Sequence, residues 1–307
     1  MIDISYVITV YNKAPYMEPM LNGLERQSGD FSREYIFVDD GSTDNSVEMI
    51  RERTKGWDNV RIITRENGGI SVATNTGGFA ASGEFIKIVD ADDVLTSYAS
   101  RRMLEMMREH KLDHLSAKWV LSDDVEAEAL KQEDESGSVH IINDPLREFI
   151  KRGMAGSTST MVRTSMFKEM GGADPEVFVQ DVSIPLRVAG RGRMGSTDLL
   201  AVIGPRDVDG RMMGAHPTMV YTMSANMYHF LRDNPDVPTQ LQRLAFKRCA
   251  GRAWKWAKRE QKKSMFSKDF YLYLMAQLPI WYKTANWIKE TLHTWDNEEI
   301  RHPPKRG

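Results

Sequence analysis

Two acidic clusters and one glycine-rich segment stand where a ligand could meet them. Asp39-Asp40-Gly41-Ser42-Thr43-Asp44 follows the apolar run Tyr35-Ile36-Phe37-Val38. A carboxylate there can accept the imide N–H of a uracil ring or a ribose hydroxyl. The same residues also suit a plain turn with an Asx cap. Asp90-Ala91-Asp92-Asp93 follows Phe85-Ile86-Lys87-Ile88-Val89. Three carboxylates within four residues repel one another unless a cation neutralises them. Oxygen-only ligands suit Mg²⁺ or Mn²⁺. A solvated loop capping the next helix competes with that reading, but the place directly after a strand favours a metal. The spacing is not that of an EF-hand loop. Asn67-Gly68-Gly69-Ile70 through Gly77 is neither Gly-x-Gly-x-x-Gly nor a Walker sequence, which excludes the dinucleotide and P-loop readings. Its glycines still permit close approach to a ligand.

The elements that must position these groups alternate. Ile4–Ile8 reads as a buried strand, and Tyr35–Val38, Val60–Ile63 and Phe85–Val89 as further strands. Between them, residues 14–27, 46–53 and 70–82 read as helices, the first with the stripe Met17, Met20, Leu21 and Leu24. Gly77-Gly78 weakens the third. Such alternation implies an α/β fold with a parallel, doubly wound sheet, in which ligands bind at the carboxyl ends of strands. Further on, 97–110 reads as helix, 114–121 as strand, and 122–138 as an acidic exposed loop or solvated helix. Residues 156–162 and 199–203 are β-compatible. Residues 182–189 suit a helix, with Pro185 near its first turn. From about residue 222 the pattern is helical, basic and Trp-rich.

Composition narrows the class. The chain has 307 residues, one cysteine, 41 Lys+Arg and 43 Asp+Glu. A lone Cys249 excludes an intramolecular disulfide and a cysteine zinc cage, and reads as a small buried residue. No secretory signal and no spanning helix are expected. Residues 241–307 carry a net charge of +9 and residues 1–240 one of −11, so two regions with different neighbours are expected.

Four segments in register make the chain resemble the family 2 nucleotide-sugar-dependent glycosyltransferases: Ile8-Thr9-Val10-Tyr11-Asn12, Val38 to Asp44, Asn67 to Gly77, and Ile88 to Asp93. The resemblance covers residues 4–95 most specifically and extends to about 220. It implies a GT-A fold: a Rossmann-like, mostly parallel sheet flanked by helices, here with a C-terminal helical extension. The catalytic domain would span 1–225, divided into a nucleotide-sugar-binding half (1–95) and an acceptor-binding half (96–225), with 226–307 as the basic extension. Thr9, Tyr11, Asn12, Asp39, Asp40, Asn67, Asp90 and Ala91 would line the nucleotide site. Asp90-Ala91-Asp92 would be the Asp-x-Asp motif, with Asp92 on a divalent cation (Mn²⁺ or Mg²⁺) and Asp90 on the ribose. Asp181 falls at the position of the general base, which removes the acceptor hydroxyl proton. Three positions depart from the family pattern: Thr9 where Pro is common, Thr74 where Arg is common, and Gln180 where Glu is usual. The second removes a cation near the diphosphate.

Further residues have two readings each. His216 could complete the metal site or be structural, and Arg211 could bind diphosphate or lie on the surface. Ser157, Thr158, Ser159 and Thr160 fall where relatives line the acceptor pocket, or form an ordinary strand. In the tail, Arg248, Arg252, Lys255, Arg259 and Lys262 share one helical face. Trp254, Trp256, Trp281, Trp287 and Trp295 accompany them. Basic and aromatic residues together suit an anionic membrane surface; a packed helical appendage or a subunit interface is the other reading.

The expected function is inverting, metal-dependent transfer of a sugar from a UDP-sugar to a glycan or lipid-linked acceptor. The expected location is cytoplasmic, at or near the inner face of the membrane, with no role for nucleic acid. The alternatives are a nucleotidyltransferase, for which Val10-Tyr11-Asn12-Lys13 offers only Lys13 to a triphosphate, and a non-catalytic sugar-nucleotide-binding protein.

Overall fold

The computed structural model describes residues 2–153, 156–206, 217–279 and 283–303. The elements in order are β1 (Ile4–Val10), α1 (Met17–Glu25), β2 (Arg33–Asp39), α2 (Ser46–Arg53), β3 (Val60–Thr64), α3 (Ile70–Ala80), β4 (Phe85–Asp90), β5 (Val94–Leu95), α4 (Ala99–Glu109), β6 (His114–Ser122), α5 (Val125–Leu130), β7 (Val139–Ile142), α6 (Pro145–Arg152), β8 (Thr160–Arg163), α7 (Thr164–Glu169), α8 (Gln180–Ala189) and β9 (Met194–Pro205). They are followed by α9 (Pro217–Asp233), α10 (Thr239–Arg259), α11 (Lys268–Met275) and α12 (Ala285–Thr291).

One sheet runs in the order β3-β2-β1-β4-β8-β6-β9-β5, with β7 also on β9. Its first four strands are all parallel. Beyond β4 the directions mix: β8 is antiparallel to both β4 and β6, and β9 runs parallel to β6. The expected parallel sheet is therefore confined to the first four strands, and the rest of the sheet is joined to them through one reversed strand.

Period-two alternation sorts the strand residues onto two faces. Tyr6, Ile8, Phe37, Phe85 and Val89 face the core under α1 and α4. Val7, Ile36, Val38, Ile86 and Ile88 face the other, with α6, α7 and α8. Because helices cover both faces, β1 is buried at every position. The second core continues without a break into Met227, Phe230, Leu241, Phe246, Cys249 and Ile288. The C-terminal helices thus share a core with the sheet, and α9 runs through the expected boundary at 225/226. Cys249 is buried there, as expected.

Helix α3 holds despite its glycines because Gly77 brings it onto the sheet and Gly78 onto Phe167 of α7. A Cβ on Gly77 would lie 2.5 Å from Val7 Cγ1 and 3.0 Å from Val38 Cγ2. Gly77→Ala should therefore lower stability by about 1–3 kcal/mol, although alanine is the better helix former by ~1 kcal/mol. Urea denaturation checks this; an unchanged or raised midpoint would contradict the close packing.

Candidate active site

Strand register brings the candidate loops to one level. Thr9 pairs with Val38 on one side and Asp90 on the other, and Val10 pairs with Asp39. The carboxyl ends of β1, β2 and β4 therefore open onto a common edge. Thr9 is buried there, and its Oγ1 has no hydrogen-bond partner among the described residues. Tyr11 follows with half of its side chain exposed (49%).

The loop after β1 is clasped to the loop after β2. Asn12 adopts a left-handed conformation (φ 51°), which asparagine tolerates. Its N–H donates to Ser42 Oγ at 3.0 Å, and its Oδ1 accepts from the Thr43 N–H at 2.8 Å. Asp44 Oδ2 accepts from the Ala14 N–H at 3.0 Å. Within the adjacent pair the carboxylates divide. Asp39 accepts from the Ser42 N–H at 3.0 Å. Asp40 is turned toward the loop after β3: Oδ1 accepts from Arg65 and the Gly68 N–H, and Oδ2 from the Gly69 N–H at 2.8 Å. Asp40 thus braces the glycine segment. Exposed Asn67 lies on that segment.

The Asp90–Asp93 turn closes with the Asp93 N–H on the Asp90 carbonyl at 3.1 Å, over buried Ala91. Asp92 Oδ2 lies 2.7 Å from the Lys13 ammonium, with the Asp92 side chain only 11% exposed. An ammonium thus stands on the carboxylate expected to hold a metal, so the site already draws a cation. The oxygen-only donors fit Mg²⁺ or Mn²⁺. Lys13 also supplies a positive charge here that Thr74, fully buried in α3, does not.

A second cation escaped the sequence reading. Lys87, in the middle of β4, is fully buried and donates to the Thr158 and Thr160 carbonyls. Burial pulls its pKa down to about 7 against the opposing pull of Asp93 and Asp90. The available signal was a lysine inside an otherwise apolar strand, where an unpartnered one is almost never buried.

The segment before β8 also differs from expectation. Ser157 Oγ donates to Asp90 Oδ1 at 2.9 Å, and Thr158 Oγ1 accepts from the Asp90 N–H at 2.9 Å. Ser157, Thr158, Ser159 and Thr160 are all buried. The first two hold the Asp90 turn in place instead of presenting hydroxyls to an acceptor. Gln180 joins this chain, its Nε2 donating to Ser157 Oγ at 3.1 Å. A glutamate there would put another negative charge beside Asp90, so the glutamine keeps the cluster's charge lower.

Helix α8 begins at Gln180, two residues before the expected start, so Asp181 sits in its first turn. Pro185 therefore lies inside the helix, not near its start. Lacking an N–H, Pro185 leaves the Asp181 carbonyl without its helical donor. The Gly156 N–H fills that place at 3.3 Å, which ties α8 to the Ser157 segment. The carboxyl Oδ1 of Asp181 is buried without a hydrogen-bond partner among the described residues. Burial, and then the charge of Asp90, push its pKa up to about 7, outweighing the backbone N–H groups of the first turn.

His216 and Arg211 lie outside the described residues. The histidine nearest to a metal-like grouping is His229, whose Nδ1 is 2.8 Å from Asp174 Oδ2. Glu176 beside it is held by Arg232 at 2.8 Å, so the grouping is an ion-pair network.

The sequence model of Glycosyl transferase family 2 matches residues 5–171, more than half of the chain, and the chain belongs to that family. It is similar to the uncharacterized glycosyltransferase EpsJ of Bacillus subtilis, 37% identical over 111 residues, covering 36% of this chain and 32% of that one. It is also similar to the poly(ribitol-phosphate) beta-glucosyltransferase of Bacillus spizizenii, 36% identical over 115 residues, or 36% and 18% of the two chains. These matches span a third or less of the relatives' own length. In structure it resembles S. aureus TarS 1-349, solved in complex with UDP-GlcNAc, with a TM-score of 0.63 at 16% identity over 90% of this chain and 79% of that one. That likeness shows the fold, which is GT-A-like.

The raised acid has a stability consequence. A carboxyl whose folded pKa (about 7) lies above its ordinary 3.8 favours folding below pH 4. That contribution is lost as pH rises through 7. In the presence of a chelator, Asp181→Asn should raise the melting temperature more at pH 8 than at pH 4. A pH-independent difference would contradict the burial of this carboxyl.

Proposed function

We propose that the chain transfers a sugar from a UDP-sugar to a hydroxyl group of a glycan or lipid-linked acceptor, inverting the anomeric carbon. Asp181 carries the reading: a carboxyl with a buried, unpartnered oxygen and a pKa near 7, beside Asp90 at the ligand-binding edge of the sheet. A base poised near neutrality is partly ionised and still holds a proton well. Asp181 takes the acceptor's hydroxyl proton while that oxygen bonds to the anomeric carbon from the face opposite the diphosphate. The bond to the diphosphate oxygen breaks, and the electron pair departs with the nucleoside diphosphate. That group leaves readily, so no second carboxyl acts as an acid, unlike in glycoside hydrolysis.

Asp92 would hold a divalent cation, which supplies charge neutralisation at the leaving diphosphate. Asp90, oriented by Ser157 and Thr158, and Asp39 are the carboxylates proposed for ribose and base, with Thr9 Oγ1 and Tyr11 beside them. The named activity of the Bacillus spizizenii relative and the ligand of the TarS complex support a UDP-sugar donor and a polyhydroxylated polymer acceptor. A cytoplasmic location belongs to the same proposal.

Asp181→Asn should lower the transfer rate about 10²- to 10⁴-fold, the range for loss of a general base, while UDP affinity stays within about twofold. Steady-state transfer and calorimetry together check this, and comparable transfer rates would reject Asp181 as base. Lys13 competes with the cation for Asp92. Lys13→Met should tighten Mn²⁺ binding by the nucleotide-free protein about two- to fivefold, the scale of a partly exposed ion pair. Weaker Mn²⁺ binding by calorimetry would contradict competition at Asp92.

A further inference from the structure

Among the described residues, the tryptophans expected to mark a membrane interface are engaged within the chain, Trp295 fully buried and Trp254, Trp256 and Trp287 partly so. Trp295 is buried, Trp256 donates its indole N–H to Glu298 at 3.0 Å, and Trp254 packs on Phe270 at 4.9 Å between ring centres. Trp287 lies 6.2 Å from Phe246, and Trp281 falls outside the described residues. Arg252 also leaves the expected basic face, donating to Ser224 Oγ at 2.9 Å. These side chains fasten the C-terminal helices to one another.

The exposed apolar groups lie elsewhere, on the turn after α10 and on α11. Phe266 is 101% exposed and Met265 67%. Tyr271 and Leu274 share the outer face of α11, and Leu278 follows in the turn after it; all three are exposed. No other stretch of the described residues exposes large apolar side chains so densely. A fully exposed phenylalanine beside an exposed methionine on a tight turn gains nothing within the monomer, and contiguous patches of this kind mark interaction sites.

The charges around the patch select the partner. Lys255, Lys258, Arg259 and Lys262 are exposed, and in residues 255–266 Glu260 is the only acid. Of the neighbouring acids, Asp269 is neutralised by Lys263 at 3.1 Å and Glu290 by Lys268 at 2.7 Å, while Glu298 accepts from Trp256 and Gln261, which leaves Glu260 and Glu298 against four exposed cations. The surplus is therefore cationic. An apolar wedge with a cationic flank matches an anionic bilayer, which accepts the wedge among its acyl chains and the cations among its headgroups. Among the described residues no helix is long and apolar enough to cross a membrane, so contact would be at the surface. A second copy would bring the same cations together and repel.

We propose that the α10–α11 turn and the outer face of α11, from Lys255 to Leu278, dock the chain on anionic lipid, with Met265 and Phe266 inserted. The proposal does not depend on the transfer reaction. The test is sedimentation of the whole chain with phosphatidylcholine vesicles, with and without phosphatidylglycerol. Binding should appear only with the anionic lipid and weaken at high salt. Phe266→Ser with Leu274→Ser should lower the partition coefficient more than about tenfold, as should Lys258→Glu, Arg259→Glu and Lys262→Glu combined. Unchanged melting temperatures would show that the variants fold. Equal binding to both vesicle types, undiminished binding of the double serine variant, or a vesicle-inert chain whose dimer dissociates on Phe266→Ser would each overturn the proposal.

Discussion

Mutual repulsion among carboxylates at the end of β4 is the constraint around which the rest of the structure is arranged. Asp90, Asp92 and Asp93 fall within one turn, and Asp181, whose pKa is raised first by burial, is raised further by the charge of Asp90. Left to themselves these groups would protonate or separate. They are kept together by cations and hydrogen-bond donors from distant parts of the chain. Lys13 stands on Asp92 from the loop after β1. Lys87 lies buried beneath the turn, held by carbonyls of the segment before β8. Ser157 donates to Asp90, and Gln180 donates to Ser157 without adding charge. Acidity of this density is unfavourable for folding and suited to binding a cation and moving a proton.

The same contacts explain why two unlike halves of one sheet share an edge. β8 runs against β4, and its preceding segment wraps the Asp90 turn. Pro185 then frees the Asp181 carbonyl for Gly156, so that the helix bearing the candidate base is fixed to the segment that orients Asp90. A proline that merely looked tolerable near a helix start instead fastens α8 to the segment before β8.

Much of this was legible in the sequence. The strands β1, β2 and β4 are largely apolar, with Thr9, Asp39 and Asp90 at or next to their carboxyl ends, and covering both faces of a parallel sheet writes that pattern directly. The order of the polar turns after them carried the family and the fold. What escaped depends on contacts between remote residues. The strand β7, four residues long, is too brief to stand out, whereas α6 carried a readable signal in its Asp144 cap, Pro145 and the apolar stripe Leu146, Phe149 and Ile150. The strand expected from 156 begins at Thr160, because Ser157 and Thr158 are engaged by Asp90. Asp40 looked like a ligand-binding twin of Asp39, and only the fold shows Gly68, Gly69 and Arg65 turned onto it. The tail's tryptophans read as an interface because composition does not reveal which face of a helix is covered.

The central claim is that Asp181 and the Asp90–Asp92 turn address the anomeric carbon from opposite sides. The most direct measurement is time-resolved proton NMR of the sugar released when an α-linked UDP-sugar is hydrolysed by the protein with Mn²⁺, read before mutarotation. The β-anomer should appear first. Initial release of the α-anomer would contradict the single displacement, and with it the role assigned to Asp181.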